Sequence, residues 1–288
     1  MPSVLGIVGS ARRNGNSEMI VRVALEGAAD SGAETEIMRL TDFEIKPCNG
    51  CMACLIKNQD CHHKDDAEFV FKKLLAADGV IFATPIYYLS PAGTAKMLVD
   101  RMFMWERMAP NRKEKPAAII TSLTDGRGWI GFSVPQVATY WLCAGFRITD
   151  ALVAPAQGPG EILLKPDVLE RAREIGRNLL NSKRTYPVED THCPICFGEA
   201  FELRGGNRVE CPICWVRGEI VGQRGEKALI RFDDDWQSNI RFTSGLIDEH
   251  MNVTVKGSGD TFLAKRDAIR EARAAFKDKP VNWVKRPE

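Results

Sequence analysis

The chain has 288 residues, with 39 basic against 38 acidic side chains and a formal net charge of +1. That balance gives no electrostatic case for general nucleic-acid or membrane-surface binding. With 44% hydrophobic and 27% charged residues the composition is that of a globular protein, neither disordered nor fibrous, and the length suggests two domains at roughly 100–200 residues each. No apolar run approaches the roughly 18 residues that would span a bilayer. The opening MPSVLGIVGSARR puts its apolar stretch before its basic residues, so it reads as a first strand and not as a secretory signal. A soluble, cytoplasmic protein is the expectation.

Strands and helices are predicted to alternate through the first 180 residues. Residues 4–8 are a short apolar run, followed by Gly9 and Ser10, a helix start at Asn16 and Ser17, and apolar side chains at helical spacing over 20–28. A second strand is predicted at 36–40 and a helix at 69–77 with Leu74 and Leu75 facing inward. The run GVIFA at 79–83 is apolar throughout, as a central parallel strand buried on both faces requires. A helix over 92–108, a strand at 117–121, a helix at 134–144, a strand at 147–154 and a helix at 166–180 complete the pattern. It predicts a doubly wound α/β domain over residues 1–185, built on a five-stranded parallel sheet.

Eight of the nine cysteines form two groups of four, and CxxC spacing without a secretory signal argues for metal-bound thiolates in a reducing compartment. Cys48, Cys51, Cys54 and Cys61 give CxxCxxCx6C, whose three closely spaced thiolates favour a compact polynuclear centre, a 4Fe–4S cluster, with zinc or free thiols as the alternatives. His62 and His63 follow directly, either as outer donors or as surface residues. Cys143 lies in the apolar stretch 140–144 and is expected in the core. Cys193, Cys196, Cys211 and Cys214 form two CPIC knuckles of a zinc ribbon over about 190–220, a segment too short to order itself by burial, so that metal replaces the core. A rubredoxin-like iron is the alternative. Rubredoxin knuckles are usually followed by Gly, whereas Phe197 and Trp215 follow these. The extension 221–288 carries strand-like runs at 228–232 and 252–256 and a helix near 265–276, and is expected to pack on the ribbon or on another subunit.

Three loops follow strands at one edge of the predicted sheet, where open α/β sheets bind ligands. The loop Gly9–Ser17 feeds the first helix, and there backbone N–H groups and the helix dipole favour an anion. Ser10, Asn16 and Ser17 add donors and Arg12 a charged fork, although an ordinary N-cap with turn residues would look similar. After the GVIFA strand, Pro85 stiffens a loop in which Ile86, Tyr87 and Tyr88 offer flat apolar area to a ring system. The loop 121–128, with Ser122, ends the next strand on the same edge.

Taken together, GSARRNGNS, TPIYYLSPAGTAKMLVDR and the loop after AAIITS resemble the NADPH-dependent FMN reductase family of flavodoxin-like proteins over about residues 1–185. The compact cysteine motif on this fold resembles the iron-sulfur flavoproteins of anaerobes. The resemblance implies FMN, with Ser10, Arg12, Asn16 and Ser17 at the phosphate and Pro85, Ile86, Tyr87 and Tyr88 beside the isoalloxazine. It also implies electron exchange between cluster and flavin, and a homodimer or dimer of dimers. An FMN-dependent, iron-sulfur oxidoreductase or electron-transfer flavoprotein is the predicted function, with NAD(P)H or a ferredoxin-type protein as redox partner. The competing prediction is a flavodoxin-like redox sensor whose ribbon recognises a partner. Arg204, Arg208, Arg217 and Arg224 are interleaved with acids, which weakens a nucleic-acid role. No acid–base pair or nucleophilic triad stands out, which disfavours hydrolysis.

Overall fold

The computed structural model describes residues 1–110, 113–123, 130–181, 190–238 and 240–277. Its first strand, β1 (Ser3–Val8), leads to α1 (Asn16–Asp30) and β2 (Glu34–Arg39). A long loop holding the short helix α2 (Ala53–Ile56) reaches α3 (Ala67–Ala76), β3 (Gly79–Tyr87) and the two-residue β4 (Ser90–Pro91). Then come α4 (Gly93–Val99), α5 (Met102–Met108), β5 (Lys115–Leu123), α6 (Ser133–Cys143), β6 (Phe146–Pro155) and α7 (Pro166–Asn178). The lateral order is β2-β1-β3-β5-β6, all parallel, with β4 turned back antiparallel on β3. This is the flavodoxin order, and its topological switch point lies between β1 and β3.

The central strands are apolar on both faces because both faces are covered. Val4, Val8, Ile81, Ala83, Ala118 and Ile120 meet Ile20, Val21 and Ala24 of α1 and Ala172 and Ile175 of α7. On the other face Ile7, Val80, Phe82 and Ile119 meet Phe71 and Leu74 of α3, Trp105 of α5 and Trp141 of α6. Leu74 is fully buried and Leu75 half-buried. Helices α1 and α7 approach until their backbones touch. A Cβ added at Gly176 would lie 1.8 Å from the Ala24 carbonyl oxygen, and one added at Gly27 would lie 2.1 Å from that of Arg173.

Three local expectations are corrected. The single helix expected over 92–108 is broken into α4 and α5 at Asp100 and Arg101, and the Arg101 side chain in the break is buried. Cys143 is exposed: the buried stripe of α6 runs through Val137, Ala138, Trp141 and Leu142, and Cys143 stands about 100° past it. Residues 252–256, expected as a strand, fall in a π-helical stretch, His250–Val255, followed by α9 (Lys256–Lys277). A lone strand there would leave its backbone groups without a ladder, and helical bonding satisfies them locally.

The ribbon carries a four-stranded antiparallel sheet, β7 (Glu202–Leu203), β8 (Arg208–Glu210), β9 (Arg217–Arg224) and β10 (Lys227–Phe232), in order β10-β9-β8-β7. The strand expected at 228–232 thus completes the ribbon sheet. The chain divides into two compact units, Met1–Ser244 and Gly245–Glu288, the second containing most of α8 (Ser244–Glu249) and all of α9. No helix among the described residues is long and apolar enough to cross a membrane.

Candidate functional site

The turn from β1 into α1 brings backbone donors to the switch point. Gly15, the N-cap of α1, makes no side-chain cap bond, so the first-turn N–H groups and the positive end of the helix are left for an anion. Gly9 N–H donates to the Ala83 carbonyl at 2.7 Å and the Gly9 carbonyl accepts from Thr94 Oγ1 at 2.6 Å, which ties this turn to β3 and α4. A Cβ at Gly9 would lie 2.9 Å from Thr84 Oγ1, so the close approach of the two strand ends requires glycine there.

Eight of the nine predicted cofactor residues, Ser10, Arg12, Asn16, Ser17, Pro85, Ile86, Tyr87 and Ser122, line one cleft of about 160 Å³. Gly15, Leu123, Ala156 and Gln157 complete its wall. The buried Ser10 hydroxyl accepts from Arg12 N–H at 3.2 Å, and Ser17 Oγ and Ser122 Oγ are 2.5 Å apart. Arg12 is exposed and has no ion-pair partner among the described residues. Asn16 is engaged through both ends of its amide: Nδ2 donates to the Ala156 carbonyl at 3.1 Å and Oδ1 accepts from Ile162 N–H at 3.2 Å. Its side chain therefore fixes the loop after β6, and what it offers an anion is its backbone N–H. Of the loop 121–128, residues 124–128 lie outside the described residues.

A carboxylate stands beneath this turn. Burial alone would raise the Glu18 carboxyl, but Asn14 N–H at 2.8 Å, Arg22 at 2.9 Å and Arg39 overcome it and hold the group below the usual range. The two arginines cancel a negative charge that would otherwise oppose an anion at the helix start.

Tyr88, the ninth predicted residue, is fully exposed. Tyr87 pairs with Ser90, so Tyr88 and Leu89 form a two-residue hairpin loop, and both have positive φ (50° and 61°), the pattern of a type I′ turn. Such turns favour Asn and Gly. Bulky residues there hold backbone strain of about 1–3 kcal/mol each, kept in place here by Ser133 Oγ donating to the Leu89 carbonyl at 3.1 Å.

The first cysteine group sits on the loop leaving the carboxyl end of β2. Cys48, Cys51, Cys54 and Cys61 all line one small cavity of about 20 Å³, together with His62, His63 and Arg101. Burial pushes the Cys54 thiol up, and the neighbouring Cys61, Cys48 and Cys51 push the same way, so a cationic centre is what would relieve this crowd of sulfurs. Gly50 N–H donates to Cys48 Sγ at 3.4 Å, and His62 Nδ1 lies 3.9 Å from Cys51 Sγ. His63 Nε2 is buried with no hydrogen-bond partner among the described residues, and burial, His62 and Arg101 hold its imidazole below the usual range. The four cysteines thus face one cavity with one backbone N–H on Cys48 Sγ, but among the described residues only the second group has its ligand atoms within 4.8 Å of one another.

Arg101 and Asp65 were not visible as functional residues in the sequence. Their side chains are 1% exposed and 2.5 Å apart. Arg101 Nη1 also donates to the Lys46 carbonyl at 2.9 Å and Nη2 lies 3.3 Å from Cys61 Sγ, while Asp65 accepts from Lys46 N–H at 2.9 Å. Both ends of the cysteine loop are thereby gathered on one buried ion pair.

The second group is a closed site. The Sγ atoms of Cys193, Cys196, Cys211 and Cys214 lie within 4.8 Å of one another and the residues are at most 1% exposed. Cys196 Sγ and Cys211 Sγ are 3.7 Å apart, and metal–sulfur bonds of about 2.3 Å in a tetrahedron put sulfurs roughly 3.8 Å apart. The two knuckles are equivalent: Phe197 N–H bonds to the Cys193 carbonyl and Trp215 N–H to that of Cys211, at 3.0 and 2.9 Å. Phe197 and Trp215 both have left-handed φ, 59° and 65°, the conformation a glycine would take there. Lack of glycine after the knuckles therefore does not separate zinc from iron.

The ribbon does not order itself on metal alone. Cys193, Phe197, Cys211 and Val216 belong to the same buried cluster as Phe82, Trp105 and Trp141. A Cβ at Gly198 would meet Pro135 of α6 at 3.3 Å.

An iron-sulfur flavoprotein of Methanocaldococcus jannaschii is 42% identical over 98 residues, 34% of this chain and 50% of that protein. One from Methanosarcina thermophila is 36% identical over 119 residues, 41% of this chain and 61% of that protein. The chain thus spans about half the length of the curated relatives it matches. A solved flavone reductase superimposes with a TM-score of 0.75 at 22% identity, covering 99% of this chain and 100% of that one, so the whole architecture, ribbon included, is a fold seen before. The sequence profile of the NADPH-dependent FMN reductase family matches residues 2–145, half of the chain, and the cleft lies within the same α/β domain: the chain belongs to the NADPH-dependent FMN reductase family.

Proposed function

We propose that the protein is an FMN-dependent oxidoreductase in which a 4Fe–4S cluster on Cys48, Cys51, Cys54 and Cys61 exchanges electrons with the flavin. The observation that carries this reading is the convergence of four cysteines on one cavity at the same sheet edge as the cleft. Ser10, Arg12 and the first-turn N–H groups of α1 would hold the phosphate, and Pro85, Ile86 and Tyr87 would wall the ring. When bound, the flavin supplies two-electron and one-electron chemistry and the cluster one-electron chemistry. The chain's own part is to hold the anion and to shape the cleft with the stiff Pro85 turn. We retain structural zinc for the closed ribbon site, a homo-oligomer as the assembly, and NAD(P)H or a ferredoxin-type protein as the redox partner.

A second reading is supported by the whole-chain likeness to the flavone reductase: the flavin's acceptor would be a planar unsaturated ring compound rather than a protein. Anaerobic purification with iron, sulfide and flavin analysis tests the first reading. Four irons beyond any ribbon metal, lost in Cys51→Ser with FMN retained, are expected. Arg12→Ala should weaken FMN at least tenfold in equilibrium dialysis. Iron-free protein with full flavin and full ferredoxin-linked activity would refute the cluster, and unsaturated-ring reduction by such protein would favour the second reading.

A further inference from the structure

We infer that Arg101 is the positioning residue of the cysteine cavity: its guanidinium seats Cys61 against the other three cysteines and donates a hydrogen bond to the Cys61 sulfur. This rests on the reading of that cavity as a cluster site. Both terminal nitrogens are used. Nη1 bonds Asp65 Oδ2 at 2.5 Å and the Lys46 carbonyl at 2.9 Å, while Nη2 reaches Asp65 Oδ1 at 3.3 Å, Cys61 Sγ at 3.3 Å and Met104 Sδ at 3.1 Å. Residues 46 and 65 bracket the four cysteines, so one side chain closes the loop at its base and touches a ligand in its interior.

Burial decides how such a pair behaves. Two charges shielded from water gain little net stability over apolar residues of the same volume, but removing one partner leaves the other uncompensated. The pair is thus poorly explained as a stabiliser and well explained as a geometric device, since guanidinium satisfies carboxylate, carbonyl and sulfur at fixed angles. Asp65 neutralises the cation locally. What remains directed at Cys61 is an N–H dipole from a buried guanidinium, and a donor to a ligand sulfur favours the more negative, reduced form of a cluster.

Arg101→Lys tests this, since Lys keeps the charge and the pairing with Asp65 but has a single nitrogen and cannot also span Lys46 and Cys61. In the metal-free, FMN-loaded protein, hydrogen exchange followed by mass spectrometry should show amides of 46–65 exchanging at least tenfold faster in the variant, with β1 and β3 unchanged. In the reconstituted protein, iron should still bind, and an EPR-monitored redox titration should show reduction at least tenfold less favourable, about 59 mV lower for a one-electron couple. Unchanged loop exchange overturns the inference whether or not iron binds. Full iron with an unchanged potential overturns the sulfur hydrogen bond. Loop exchange that responds in protein unable to take up iron at all refutes the cluster reading instead and upholds Arg101 as the residue that seats Cys61.

Discussion

Replacing Gly176 with Ala tests how the α/β core is held together beneath the cleft. The added methyl would lie 1.8 Å from the Ala24 carbonyl oxygen, and both sides of that contact are helix backbone, so no side chain can rotate away. Moving from 1.8 Å to an ordinary 3.4 Å parts α1 and α7 by about 1.6 Å. A gap of even 0.5–1 Å forfeits roughly a quarter to a half of each dispersion contact. That loss would fall on Ile20, Val21, Ala172 and Ile175. Overpacking of this kind costs about 1–3 kcal/mol or more, and helix propensity returns about 1 kcal/mol for Gly to Ala. With backbone on both sides the upper end applies, and a net loss of about 2 kcal/mol, or roughly 4–8 °C in melting temperature, is expected. Gly27→Ala should act similarly. The double variant should fall short of the sum by about 1 kcal/mol, because helices already parted by one methyl admit the second more easily. Gly93→Ala in α4, with nothing within 4 Å of the added atom, is the control and should be neutral or slightly stabilising. Melting followed by circular dichroism reads all four. A Gly176→Ala protein that melts with the parent, or a strictly additive double variant, would refute the close-approach argument.

Two further outcomes are expected. Glu18 and Asp65 are held below the ordinary carboxylate range in the folded protein, so the stability they contribute is whole above about pH 5 and drains as pH falls through 4 toward their folded values. Urea unfolding between pH 3 and 6 should show this acid limb, flattened in Glu18→Gln. Replacing Cys193 and Cys211 with Ser should lower the melting temperature of the whole Met1–Ser244 unit, not of the ribbon alone, because the knuckles lie in the core of the α/β domain; two separate melting steps would count against this.

The strands were legible because a parallel sheet covered on both faces demands unbroken apolar runs, and GVIFA and AAIIT are such runs. The cleft was legible because strand ends at a switch point are fixed by topology once strand order follows. What stayed hidden depended on pairings distant in sequence. Asp65 precedes a helix and reads as a cap residue, and Arg101 sits inside an apparently continuous helical pattern. Nothing within either segment shows that the two meet across 36 positions. Cys143 was misplaced because apolar neighbours in sequence say less than helical phase. The ribbon was read as self-sufficient because CPIC spacing reports the metal and is silent about Gly198 packing on Pro135.

The segment from Thr84 to Arg101 also joins two sites that the sequence presents as separate motifs. Its start walls the cleft, Thr94 near the beginning of α4 bonds the Gly9 carbonyl of the anion turn, and Arg101 at its end grips the cysteine loop. Thr94 and Arg101 stand seven positions apart, with α4 covering the span as far as Val99. Arg101 follows in the break before α5, so one short segment serves both sites. That coupling gives a physical reason for the motif to run on past the cleft as far as its terminal arginine.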